Sequence, residues 1–422
     1  MTFQVPDSMS VDVVEPLHYP PLADLRKSVR ESLAAPLGSQ PITEMVKPSD
    51  KVCIAVTDIT RNCPDELLVG PILKMLQDSG VPEGNITILV AVGMHRPSTR
   101  REKSEKLGKE IAGRYRVLDH DARDVGGLVD LGPTASGVPM VFSRMAFEAD
   151  LLLSTGIVEP HQLAGFSGGG KTAAVGLAGE KTISWTHSPA MLDHQGTQLA
   201  RTEGNPFHRA VREIYEEMGL RFCINVVRNG EEAVCAVLAG EPGAVFEKLS
   251  AVARQVYTVP VSRPYDSVIC GIGYPKDSNL YQASRGPSYI FCAPGPVIVP
   301  GGILIVPAPC QEGAGRGPGE ERFFETMKKA PDVRTILAEA RTAGYRAGEQ
   351  RAFILARVME ENEVVVVGSR CPEIVREAKM IPAETMAEAL KYVEERLGRE
   401  AGVLVVPRAL QTLPVLGAGD GI

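Results

Sequence analysis

The chain has seven histidines in 422 residues, and three of them, His95, His161 and His187, fall in or just beyond loops dense in polar residues and glycine. An imidazole with a pKa of about 6.5 can take and return a proton at neutral pH, and its neutral form is a common metal ligand. The surrounding loops carry the charges that such work needs. Asp58-Ile59-Thr60-Arg61 follows the apolar run Val52–Val56, and Gly93-Met94-His95-Arg96-Pro97 follows Ile86–Val92. Glu159-Pro160-His161 follows Leu151–Ser154 and leads into Ala164–Thr172, AGFSGGGKT. Gly273-Tyr274-Pro275 and then Tyr281-Gln282-Ala283-Ser284-Arg285 follow Ser267–Cys270. Taken singly, each residue has a plainer reading, since an Asp or Arg after a strand is more often a helix cap or a surface ion pair. Three of seven histidines in such loops weigh toward a site, whereas His18, His120, His194 and His208 keep the plainer reading.

Gly165-Phe166-Ser167-Gly168-Gly169-Gly170-Lys171-Thr172 satisfies the G-x-x-x-x-G-K-[ST] pattern of a nucleotide-triphosphate P-loop. Its glycines let backbone N–H groups approach a phosphate, and Lys171 adds positive charge. A P-loop begins where its strand ends, however, and here residues 157–163 intervene. No apolar strand ending in a magnesium-binding Asp stands out. The loop is read as phosphate-binding without the surroundings of a triphosphatase. His187 has no His-x-x-x-His or His/Cys cluster beside it, so a metal there needs ligands from a cofactor or from distant loops.

These loops need elements to position them. The apolar runs named above, together with Phe222–Val227, Ile303–Val306, Glu363–Val367 and Val403–Val406, are rich in β-branched residues and continuously hydrophobic. Such runs suit strands buried on both faces of a parallel sheet. Amphipathic segments at Glu66–Ser79, Asn205–Met218, Gly243–Val256 and Ala383–Arg396 suit crossover helices. The expected fold is α/β and two-lobed, with Rossmann-like, mostly parallel sheets and the active site in the interdomain cleft, because ligands bind outside the carboxyl ends of such strands. A boundary is expected at Tyr257–Pro264, giving an N-terminal cofactor-binding lobe over 1–258 and a smaller lobe over 259–422. The last segment, LGAGDGI, is either a tail or a return onto the first lobe.

Net charge is −7, which argues against nucleic acid as a partner. The eight cysteines form no CxxC pair and read as reduced thiols. The first sixteen residues carry acids, no basic residue and no following apolar stretch, unlike a signal peptide. The uncharged stretch Cys292–Cys310 contains Pro294, Pro296, Pro300, Pro307 and Pro309, so no spanning helix is expected there. A soluble, cytoplasmic protein without a membrane partner is the expectation.

In order along most of the chain, the motifs Asp58-x-Thr60-Arg61, Gly93-x-His95-Arg96, Glu159-Pro160-His161, Ala164-Gly165-Phe166-Ser167-Gly168-Gly169-x-Lys171, His187, Glu203-Gly204-Asn205-Pro206 and Tyr281-Gln282-Ala283 resemble the nickel-dependent lactate racemase family. The resemblance implies a two-domain isomerase that binds a nickel-pincer mononucleotide, a pyridinium ring with two sulfur-containing arms, supplied by cofactor-synthesis enzymes. It implies that His187 is the nickel ligand and that Lys171 matches a lysine joined to the cofactor through a thioamide. It also implies that Ser167, Gly168 and Gly169 hold the phosphate, with Asp58, Thr60 and Tyr281 helping to seat the cofactor.

By the same resemblance, His95 and His161 are the paired acid/base residues. One removes the hydroxyl proton of a 2-hydroxy acid while hydride leaves C2 to the cofactor, giving a 2-keto acid. Hydride then returns to the opposite face and the other His reprotonates the oxygen. Arg61 would bind the substrate carboxylate, with Gln282 orienting it. One position departs from the lactate enzymes: the residue three beyond the motif Gln is Lys in them and Arg285 here, a planar, bidentate group that is not an equivalent. A second-lobe Trp of those enzymes is also missing, and the matching stretch reads Gly348-Glu349-Gln350. The expected activity is therefore racemisation or epimerisation of a 2-hydroxy acid larger or more polar than lactate. The competing readings are an NTP-binding phosphotransferase or ATPase using residues 165–172, and a non-catalytic protein that binds the cofactor or a hydroxy acid.

Overall fold

Continuous apolar runs dictate strands buried on both faces, and the computed structural model, which describes residues 2–417, forms a strand at every run read from the sequence. The fold is mixed α/β with mostly parallel sheets. The chain divides into two compact units.

One unit comprises His18–His187 and Thr202–Val256. Its six-stranded sheet has the order Val234–Gly240, Leu220–Arg228, Leu151–Ile157, Val52–Thr57, Ile86–Ala91, Arg116–Asp119. All neighbours are parallel except the Val234–Gly240 edge strand. The chain starts in the middle at Val52–Thr57, moves outward to Arg116–Asp119, and then crosses to Leu151–Ile157 on the other side. A topological switch point therefore lies between Val52–Thr57 and Leu151–Ile157, where the carboxyl ends of such strands leave a crevice for ligand. Every residue of both strands is buried. Ile54, Leu68, Ile72, Ile88, Leu153 and Ile224 are among the side chains that close the core beside them.

A buried polar knot fastens the switch point. Thr57 and Thr155 both donate to the Asp65 carboxylate, and Lys106 pairs with Asp65 at 3.0 Å. Lys106 Nζ also donates to the carbonyl oxygens of Arg61 (2.5 Å) and Cys63 (3.2 Å), so a buried ammonium anchors the loop that follows the first strand. A buried charge of this kind survives only when every donor is used.

The other unit takes residues 2–17, Ser188–Arg201 and residues 257–417. Its six-stranded sheet is all parallel, in the order Ser10–Val13, Gly402–Val406, Tyr265–Cys270, Ile298–Pro307, Glu363–Val367, Ile381–Ala383. A single boundary after residue 258 therefore does not describe the contacts. Ser10–Val13 extends the edge beside Gly402–Val406, and Tyr265 donates to Asp12 at 2.9 Å. Asp193 draws Ser188–Arg201 into the same unit through Arg341 (2.8 Å) and Arg357 (3.7 Å). All four residues of Ser10–Val13 are exposed, so they carry no buried-run signal in the sequence. Leu413–Leu416 pairs with Thr258–Val261 within this unit. Of the terminal LGAGDGI, positions 418–422 lie outside the described residues. Among the described residues, no helix is long and apolar enough to cross a membrane.

Candidate active site

The loop after Val52–Thr57 turns back on itself, with Arg61 N–H donating to the Asp58 carbonyl at 3.1 Å. Its side chains serve a neighbouring loop. The Asp58 carboxylate receives the Thr60 hydroxyl at 2.8 Å and meets His95 Nδ1 at 2.6 Å. Burial alone would raise the Asp58 carboxyl, but the His95 hydrogen bond and charge, with help from Thr60 and Arg61, hold it at about 2. Asp58 is therefore an anion at neutral pH, and the short contact is a His95 Nδ1–H donating to carboxylate. That leaves the lone pair of a neutral His95 on Nε2. The His95 side chain is 59% exposed, accessible to a small molecule. Gly93, at φ +54, starts the turn that presents it, and its N–H donates to the Gly176 carbonyl. Arg96, from the same motif, is spent on Glu102 as a structural clamp.

His161 is held by opposite chemistry. It lies in the two-residue strand Pro160–His161, paired antiparallel with Gly165–Phe166. Its Nδ1 accepts the backbone N–H of Leu163 (3.2 Å) and of Ala164 (3.1 Å). A nitrogen that accepts cannot carry hydrogen, so the neutral ring bears its proton on Nε2. The hairpin is fixed from below by Ser167, whose hydroxyl donates to the Ile157 carbonyl at 2.7 Å and accepts the Glu159 N–H at 3.1 Å. Glu159 reaches Arg61 at 2.5 Å, joining the loops of the two switch-point strands.

The glycines of residues 168–170 answer first to packing. A Cβ on Gly168 would stand 2.4 Å from Val158, and one on Gly170 would stand 2.0 Å from the Tyr215 ring. Gly169 N–H donates to Asn225 Oδ1 at 2.7 Å, and Lys171 N–H to the Gly168 carbonyl at 3.1 Å. The helix that follows, Lys171–Gly176, has six residues, and a two-residue strand precedes the loop. That is not the strand–loop–helix of a triphosphatase. Lys171 instead borders a cavity of about 480 Å³ with Phe166, Glu203, His208, Arg212 and Tyr215.

His187 caps the helix Glu180–Thr186, with Nδ1 bonded to the Ile183 carbonyl at 2.9 Å. Burial and the charge of Lys171 lower its pKa to about 4, against the opposing pull of that carbonyl. The ring is therefore neutral at pH 7 with its lone pair on Nε2, the state a metal requires. Phe207 stands edge-on to His187 (ring centroids 5.3 Å) and tilted to His161 (6.0 Å). Asn205 positions that phenylalanine. Its Oδ1 accepts the N–H of Phe207 and His208, and its Nδ2 donates to the Leu163 carbonyl at 2.8 Å, tying the Glu203–Pro206 turn to the His161 hairpin.

Within this unit the structure thus gathers His95, Asp58, Thr60, Arg61 and Glu159 in one bonded group. His161, Phe207, His187 and Lys171 are joined by ring contacts and charge. Tyr281, Gln282 and Arg285 belong to the other unit, where Arg285 Nη1 donates to Gln282 Oε1 at 3.3 Å and the Tyr281 ring lies beneath Arg351. Three contributors escape the sequence reading: the Lys106–Asp65 anchor, Phe207, and Arg351. Arg351 immediately follows the Gly348-Glu349-Gln350 stretch, and Phe207 follows a visible Asn-Pro helix start.

A doubly wound sheet with polar loops gathered at its switch point defines an α/β protein of the ligand-binding kind. Residues 1–200 match the lactate racemase N-terminal domain and residues 262–413 the lactate racemase C-terminal domain. Lactate racemase of Lactiplantibacillus plantarum is 30% identical over 91% of this chain and 90% of its own. That of Thermoanaerobacterium thermosaccharolyticum is 28% identical over 91% and 89%. The apoprotein structure of a lactate racemase from the latter organism superposes with a TM-score of 0.87 at 25% identity, over 99% of this chain and 97% of that one. A crystal structure of a Thermotoga maritima protein shares the fold at a TM-score of 0.73 and 20% identity, over 95% and 100%. The chain belongs to the lactate racemase family, and it is an isomerase.

The donor chemistry fits the nickel-pincer nucleotide that the family resemblance implies. Among the described residues no cluster of three or more His, Cys, Asp or Glu is arranged around a metal. A single neutral imidazole, His187, suits a metal whose remaining ligands arrive on an organic group.

Proposed function

We propose that this chain inverts C2 of a 2-hydroxy acid, with His95 and His161 as the proton-exchanging pair. The observation that carries the reading is the Asp58–His95 contact at 2.6 Å, which leaves Nε2 as a base on an accessible ring at the switch point. His95 takes the substrate hydroxyl proton, and the Asp58 carboxylate stabilises the imidazolium that results. His161 returns a proton to the oxygen of the other enantiomer from Nε2 of its doubly protonated ring, and takes one from that oxygen at the same nitrogen in the reverse direction. In both roles Nδ1 must carry a hydrogen, and Nδ1–H cannot face two amide N–H groups, so the ring must turn away from Leu163 and Ala164. Losing those two hydrogen bonds costs roughly 1–3 kcal/mol in all.

Arg61, held by Glu159 and by its own carbonyl on Lys106, binds the C1 carboxylate, and Gln282 and Arg285 orient the substrate. His187 and Lys171 would hold the nickel-pincer nucleotide, which when bound supplies the acceptor and donor of the C2 hydride. Ser167, Gly168 and Gly169 contribute by shaping the loop, because the Ser167 hydroxyl and the Gly169 N–H are already engaged inside the fold. Asp58 and Thr60 serve the cofactor side of the site through His95, since their side chains bond each other and that ring.

The test is racemisation itself. Protein produced alongside the cofactor-synthesis enzymes is assayed by chiral chromatography against a panel of 2-hydroxy acids. Inversion of at least one is expected. Failure to invert any while binding ATP with magnesium would replace this reading with the phosphotransferase one.

A further inference from the structure

Every donor of one buried lysine is spent around the loop that carries Arg61. Lys106 lies in the last turn of the helix Arg100–Leu107, its side chain is only 8% exposed, and its ammonium has three hydrogens to place. The acceptors are the Arg61 carbonyl at 2.5 Å, the Cys63 carbonyl at 3.2 Å and the Asp65 carboxylate at 3.0 Å. Asp65 is fully buried at the start of the helix Asp65–Asp78, where it also receives the hydroxyls of Thr57 and Thr155. Cys63 is tied a second time, its thiol donating to the Gly156 carbonyl at 3.4 Å. The two helix ends fit closely, since a Cβ on Gly108 would stand 2.3 Å from the Glu66 carboxylate.

Burying such a pair is a poor route to stability. Both charges lose their hydration, and well-packed apolar side chains of similar volume often serve as well. What the pair supplies is direction. Lys106 grips the backbone on both sides of Asn62, beginning at Arg61 itself. Asp65 joins Thr57 to Thr155, near the carboxyl ends of both switch-point strands. Glu159, from the loop after the second of those strands, meets the Arg61 guanidinium at 2.5 Å. Main chain and guanidinium of Arg61 are therefore both set by segments that converge on one buried ion pair.

We propose that Lys106 and Asp65 are positioning residues that act through Arg61, fixing where the C1 carboxylate of the substrate binds. This rests on the racemase reading above and extends it to two residues behind the site.

The experiment compares cofactor-loaded wild type with Lys106→Met and with the double variant Lys106→Met/Asp65→Asn, on a hydroxy acid that the wild type inverts. Lys106→Met leaves a buried carboxylate unpaired and should lower the thermal midpoint. The double variant removes that charge, keeps a partner for both threonine hydroxyls, and should recover most of the loss. In both, KM is expected to rise about tenfold with kcat changed less than about threefold, because Arg61 binds the carboxylate in ground and transition states alike. A purely structural role predicts the reverse, with kcat falling along with the folded fraction and KM unmoved. The double variant carries the test alone should Lys106→Met not fold. A KM within about twofold of wild type in a folded variant, or a KM restored together with stability in the double variant, overturns the proposal. Calorimetry with pyruvate on the same proteins separates this from the racemase reading. Should the wild type invert no hydroxy acid, that reading is lost. Pyruvate bound about tenfold more weakly by the variants would then still support the positioning role, and equal binding would overturn it.

Discussion

The loop bearing His95 and the hairpin bearing His161 leave strands that flank Val52–Thr57 on either side, yet they prepare their rings in opposite ways. At His95 a carboxylate from the central loop takes the Nδ1 hydrogen, and at His161 two backbone amides occupy Nδ1 themselves. Asp58 accepts the Nδ1 hydrogen of one ring, whereas amide donors occupy the Nδ1 lone pair of the other. One histidine turns a lone pair outward on Nε2 and the other a hydrogen. In a racemase each ring must both take and return a proton, and the two directions have equal kcat/KM because the enantiomers have equal energy. The difference therefore has to surface in kcat and KM separately, and in how each histidine responds to its supports.

The largest effects belong to the rings. His95→Ala and His161→Ala should each reduce racemisation by roughly 10³-fold or more, within the range for a positioned acid or base. Each variant should still oxidise one enantiomer, a different one in each case, to the 2-keto acid in a single turnover measured by rapid quench. Loss of both enantiomers in both variants would break the division of labour.

Asp58→Asn comes next. It keeps the shape but removes the charge that fixes the His95 tautomer, and a drop in kcat of about 10²-fold or more is expected with KM little changed. The same variant gives a stability readout. The folded Asp58 carboxyl, at about 2, lies below its ordinary value, so its stabilisation is complete above about pH 4 and is lost as pH falls toward 2. That contribution is on the order of 2 kcal/mol at neutral pH, and urea titrations of Asp58→Asn should show a flatter acid limb between about pH 4 and 2.

The smallest effect lies on the His161 side. Asn205→Ala removes a helix cap and the tie to the Leu163 carbonyl, and should cost about 1 kcal/mol in urea unfolding. Its effect on kcat should be well below that of Asp58→Asn, because the two amides at His161 Nδ1 come from the hairpin itself. An equal loss of kcat would place Phe207 and its cap among the positioning residues.

Much of this was legible because buried parallel strands need unbroken apolar runs, as at Val52–Val56 and Glu363–Val367. The strand read as Leu151–Ser154 extends to Ile157, because Thr155 and Gly156 are polar or small only on the surface of the letters. Thr155 is bonded to Asp65, and Gly156 closes against Asn225. The Ser10–Val13 edge strand was illegible, since its pairing partner lies at the far end of the chain and its side chains stay exposed. Within the site, residue types and their loops were readable, but partners were not. Nothing in the spacing of Asp58 and His95 says that one orients the other, and nothing around Gly168 says that its missing Cβ answers to Val158.

The opposite tautomers can be observed directly by nitrogen-15 NMR of the seven histidine rings, assigned with single His variants. Hydrogen on Nδ1 of His95, lost in Asp58→Asn, together with hydrogen on Nε2 of His161, is the expected result. The same tautomer at both positions, or a His95 ring indifferent to Asp58, would contradict it.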